Sequence, residues 1–83
     1  MPPLSDHQDS EHFSYERSWE DIESMLREAE KVQNDWVMKY FTARERNNRE
    51  GMKIAARNKK ALEGVVKTLR WVLGDITVQH PLD

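Results

Sequence analysis

The sequence predicts an all-α protein folded as an antiparallel two-helix hairpin, and three observations carry that expectation. Ala55, Leu62 and Leu69 recur every seven residues, with Asn58, Val65 and Val72 three residues after each. That 3-4 pattern lays an apolar seam, with one polar break, along a helix. An earlier segment repeats the pattern through Trp19, Ile22, Leu26, Ala29, Gln33, Trp36, Tyr40 and Ala43. The two seams are also out of phase. Continued past Ala43, the first reaches Asn47, Glu50, Ile54, Arg57, Ala61, Gly64 and Thr68, whereas the second runs one residue later. A single long bent rod would swing its stripe off any partner there, so a turn is the preferred reading.

Residues 1–17, MPPLSDHQDSEHFSYER, are acidic and aperiodic and read as a disordered lead-in, with Phe13 and Tyr15 free to fold back onto the first helix. The hairpin is expected over residues 18–75. Ser18 offers an N-cap hydroxyl, and Glu20 and Asp21 place carboxylates at the positive end of the helix dipole, with Asp21 approximating a capping box. Met25 and Val32 widen the first seam. No Gly or Pro interrupts the chain from Trp19 to Arg46, so helix is expected over 18–46, roughly 42 Å long. Phe41 lies off the seam, where with Val37 and Met38 it forms a second apolar strip.

Asn47, Asn48 and Gly51 tolerate left-handed backbone and place the turn at 47–51. The second helix is then expected over 52–73, with Ile54, Ala61, Val66 and Leu73 widening its seam and Gly74 ending it. Gly64 lies inside it, which the close approach of a neighbouring helix would explain. Trp71 falls off the seam and is expected to be half exposed. Residues 76–83 form a short tail that Pro81 keeps irregular.

At 83 residues, 37% apolar and 34% charged, the chain is one domain with little core to bury. It has no cysteine, so disulfides and thiolate zinc sites are excluded. Self-association is the remaining staple. A homodimer is favoured, closing a four-helix bundle or a coiled-coil assembly, with Trp36, Tyr40, Phe41, Leu62, Val66, Leu69 and Leu73 as the contact candidates.

The formal charge of −2 hides an asymmetry. Residues 1–35 hold ten Asp/Glu against three Lys/Arg, a net of −7, and residues 39–60 hold eight Lys/Arg against two Glu, a net of +6. In an antiparallel hairpin the acidic block lies at the open end and the basic block at the turn. Arg46, Arg49, Lys53, Arg57 and Lys60 follow one another by three or four, with Arg44 and Lys59 beside them. Such a stripe suits an acidic partner surface. As the alternative, it suits nucleic acid, with the cations on phosphates and Asn47, Asn48 and Asn58 on bases. The run AARNKKALE before Leu62 and Leu69 is similar to a basic-leucine-zipper junction, yet Glu50-Gly51 stands where that class needs a continuous basic helix.

No enzyme is expected. The chain lacks a Gly-rich phosphate loop, a His-Glu metal pair on either expected helix and a nucleophile with its base. No cofactor is expected either. His7 and His12 stand five apart among Asp6, Asp9 and Glu11, which fits no helical zinc pair or loop cage, and Asp21, Glu23, Glu28 and Glu30 read as a solvated helix face. No stretch approaches the length of an apolar membrane span, and the start has no leader-like pattern, so a cytoplasmic protein is expected.

The segment ALEGVVKTLRWVLGD at residues 61–75, preceded by AARNKK and by an acidic, Trp-containing helix start, resembles small helical proteins of unknown role encoded by phages of actinobacteria. The resemblance spans roughly residues 15–75 and transfers no catalytic or binding residue. It implies a small phage-encoded protein acting in a bacterial cytoplasm.

Overall fold

Two helices joined by three residues make up the hairpin. The computed structural model describes residues 12–83. Helix α1 spans Trp19–Glu45 and α2 spans Arg49–Val72. They pack antiparallel, with no strand among the described residues, in a body of 53 × 25 × 22 Å. The expected tail at 1–17 falls largely outside the described residues; its last part, residues 13–17, is irregular. Phe13 and Tyr15 do not fold onto α1. They stay exposed and meet edge to face, with ring centroids 5.9 Å apart.

The start of α1 follows its sequence. The Asp21 amide donates to Ser18 Oγ at 3.0 Å, and the Ser18 amide reaches Asp21 Oδ2 at 3.4 Å. Aspartate thus completes a reciprocal capping box. Trp19 lies outside the seam that its spacing suggested and is 64% exposed.

The turn is tighter and earlier than residues 47–51. Asn47 takes the left-handed conformation at φ 55°. Its amide donates to the Arg44 carbonyl at 3.1 Å and the Asn48 amide to the Ala43 carbonyl at 2.8 Å. These are the two bonds of a Schellman motif. Asn48 then caps α2, its side-chain oxygen accepting from the Gly51 amide at 2.9 Å. Gly51 therefore belongs to the first turn of α2. An added Cβ there would lie 2.8 Å from Asn48 Nδ2 and 3.1 Å from the Ala43 Cβ, so glycine serves the close approach of the two helices.

The opposite end repeats the device. Gly74, at φ 87°, donates to the Trp71 carbonyl at 3.0 Å, and Asp75 donates to the Arg70 carbonyl at 2.9 Å. Gly64 has another setting from the one expected: nothing stands within 4 Å of the Cβ it lacks, so no close helix accounts for it.

Burial is slight. Among the described residues only Ala29, Ala43 and Ala55 are buried, at 5%, 8% and 1% exposure. Small side chains let the backbones approach, but two helices leave each large apolar side chain partly open. Ile22, Leu26, Trp36, Tyr40, Leu62, Val66, Leu69 and Leu73 are all half-buried. Val65 and Val72, placed on the seam by their heptad spacing, are exposed instead. A straight helix turns through 3.6 residues, so a seven-residue repeat drifts around it. Val66 and Leu73 replace them on the inner face.

Candidate functional site

An antiparallel helix pair has two broad flanks, and their chemistry differs. On the first flank, Val37, Tyr40, Phe41, Ala56, Lys59 and Lys60 line a groove of ≈ 410 Å³. Tyr40 and Phe41 meet edge to face there, centroids 5.6 Å apart, and Phe41 is 48% exposed. Arg49, Met52 and Lys53 extend the same side toward the turn. Farther along, Arg70 Nη2 donates to Glu30 Oε2 at 2.6 Å, the one ion pair that joins the helices among the described residues. Glu30 is thus half-buried and paired, where its spacing suggested a solvated carboxylate. The Glu30 hydrogen bond and charge raise the Arg70 pKa above its ordinary value.

The expected basic stripe is divided by the turn. Arg49, Lys53, Arg57 and Lys60 run down the outer side of α2, all exposed. Arg46 falls instead on the second flank, where it shares a groove with Trp36, Lys39, Thr42 and Ile54. The reason is local: Asn47 breaks the helix between Arg46 and Arg49, so three-residue spacing no longer keeps them on one face. No cation of the stripe pairs with α1 among the described residues. Lys59 and Lys60 reach Glu63 of their own helix, at 3.7 and 3.4 Å.

The second flank is apolar along its length. Met25 lies beside Leu69 at the open end, and Ile54 beside Trp36 near the turn. Val32 follows Met25 by seven residues, and Val72 follows Val65. Met25, Val32, Ile54, Val65 and Val72 are 37–57% exposed, which leaves large side chains in water on a chain with almost no buried core. The tail crosses the α2 half of this flank. Pro81 and Leu82 border a cleft of ≈ 590 Å³ with Ala61, Gly64, Val65 and Leu69, yet Leu82 remains 85% exposed and seals nothing.

Of the contact candidates drawn from the sequence, Leu62, Val66, Leu69 and Leu73 lie on the inner face of α2 and serve the hairpin itself. Tyr40 and Phe41 belong to the first flank and Trp36 to the second, where Lys39 Nζ sits 4.3 Å above its ring. Met25, Val32 and Lys39, at seven-residue steps, mark the second flank; that spacing was the available signal for it. Among the described residues no group of three or more His, Cys, Asp or Glu is gathered as for a metal, and His7 lies outside them. None of the described helices is long and apolar enough to cross a membrane. No protein family, curated protein or solved structure matches the chain.

Proposed function

We propose that this chain is a non-enzymatic helical module that acts through protein–protein association, beginning with a second copy of itself in a four-helix bundle. The observation that carries the reading is the mismatch between the three buried alanines and the exposed row of Met25, Val32, Ile54, Val65 and Val72. A flank as long as α1 and two helix diameters wide measures about 40 by 20 Å, or roughly 800 Å² on each copy. That is the size of a standard stable interface. The setting that goes with this reading is a bacterial cytoplasm, from the resemblance to phage-encoded helical proteins. Light scattering across a dilution series tests the association: the expected mass is twice 9.9 kDa at high concentration. A folded monomer throughout the series would overturn it.

A second reading rests on the exposed cations of α2. Arg49, Lys53, Arg57 and Lys60 are exposed, and Arg49, Lys53 and Lys60 border the Tyr40 and Phe41 grooves, a combination that suits a nucleic-acid backbone. Binding to DNA or RNA would then fall steeply with salt. Replacing Arg49, Lys53 and Arg57 by Gln would flatten the slope by nearly one unit per lost phosphate contact. Weak binding that ignores the triple substitution leaves the protein-association reading in place.

A further inference from the structure

We propose that the second copy docks on the Met25–Val32–Ile54–Val65 flank in antiparallel sense, the turn of one hairpin at the open end of the other. This rests on the self-association reading and adds its geometry. The argument comes from the charges that edge the flank. Asp21 shares the groove of Met25 and Leu69 at the open end, with Arg17, which precedes α1, as the one cation there among the described residues. Lys39 and Arg46 share the groove of Trp36 and Ile54, at the turn. Glu28 and Asp35 follow Asp21 by seven-residue steps, so one edge of α1 runs Asp21, Glu28, Asp35, then Lys39 and Arg46. All five are exposed, and none has an ion-pair partner within the described residues.

Two face-to-face stackings of the hairpins have twofold symmetry. With the turns at opposite ends, α1 lies along the partner's α1 in antiparallel sense. Asp21 then comes opposite the partner's Arg46, and Glu28 opposite the partner's Lys39, each pair occurring twice. With the turns at the same end, α1 lies along the partner's α2. Lys39 and Arg46 of both copies then crowd one end of the bundle, and Asp21 and Glu28 of both crowd the other. The apolar contacts hardly distinguish the two, because Met25, Val32 and Ile54 are spread along the flank and the Pro81–Leu82 segment borders Val65 in either stacking. Flanking charges set orientation in such bundles, as they do in coiled coils. The first flank is the poorer face for a second copy: Glu63 already pairs with Lys59 and Lys60 there, and Arg49 and Lys53 add cations that a copy turned onto it would meet again.

The chain has no cysteine, so a single Glu45→Cys substitution gives one labelling site, exposed and facing away from this flank. Spin labels on that site in the dimer should lie about 40 Å apart or more in the antiparallel arrangement and about 25 Å apart with the turns together. Charge exchange supplies the second measurement. Glu28→Lys or Lys39→Glu alone should weaken dimerisation roughly fivefold, and the two together in one chain should restore it. Circular dichroism of the dilute monomers checks that each variant keeps its helices. A dimer with the shorter label distance, or one that the double exchange leaves weakened, overturns the antiparallel docking while self-association stands. A chain that never dimerises overturns the self-association reading itself.

Discussion

The Arg70 guanidinium donates a 2.6 Å hydrogen bond to the Glu30 carboxylate across the hairpin, joining residues forty positions apart. Arg70 also lies 3.7 Å from Asp75, just past the end of α2, so one side chain ties the last turn of α2 to the middle of α1 and to its own helix cap.

Because both partners are about half exposed, the pair is a modest, salt-screened tie. Arg70→Gln should lower the melting temperature slightly in dilute buffer. The difference from the native chain should vanish near 1 M salt, where screening reaches about 3 Å. A difference that persists in full at high salt would point to packing of the Arg70 stem instead.

Asp75 gives the fold a pH dependence. The Thr77 hydroxyl and amide donate to its Oδ1 at 2.6 and 2.9 Å, and with Arg70 they hold the carboxyl below the usual carboxylate range. A depressed folded-state pKa stabilises the fold above the unfolded value, about 3.9, and that contribution is lost as pH falls through the folded value. Asp75→Asn should therefore melt lower than the native chain at pH 7 and level with it near pH 2. Thermal melts across that range would show it, and equal melting at pH 7 would refute it.

The two helical glycines should respond oppositely to alanine. Gly64 faces open space, so Gly64→Ala should gain about 1 kcal/mol from helix propensity. Gly51→Ala would push against the capping Asn48 side chain and the Ala43 methyl. Loss of the cap, about 1 kcal/mol, should cancel or exceed the propensity gain. Urea unfolding of both variants separates the cases, and equal stabilisation would show that Asn48 yields at no cost.

Ala55 marks the tightest contact, at 1% exposure. Ala55→Leu should cost about 1–3 kcal/mol by forcing the helices apart. The same change at exposed Ala56 should fall within about 0.5 kcal/mol. A tolerated Leu at 55 would mean that the hairpin can open without loss.

Much of this architecture was legible in the residues. Ser18 and Asp21 marked a helix start, Gly74 a helix end, and the phase break after Ala43 showed that the two seams belong to separate helices. The turn falls earlier than Gly51 suggests, because Asn47 fills the left-handed position and glycine answers a steric demand made by Asn48 and Ala43. A heptad count puts Val65 and Val72 on the inner face of α2 because it ignores the drift of a straight helix. The division of the basic stripe could not be read from spacing, since it depends on where within a few residues the backbone reverses. Glu30 reads as a solvated charge in the sequence because its partner, Arg70, becomes a neighbour only once the chain has folded back.

Asn48 closes α1 through its amide and opens α2 through its side chain. Connecting segments ordinarily absorb inserted residues at small cost. Here a single residue inserted beside Asn48 would part the two duties, freeing an end of each helix and rotating α2 by about 100° against α1. The inner face would then meet Val65 and Val72, and the buried Ala55 of α2 would turn outward. Changes in length are therefore confined to the open end of the hairpin, and the bend near Asn48 fixes the register of both helices at once.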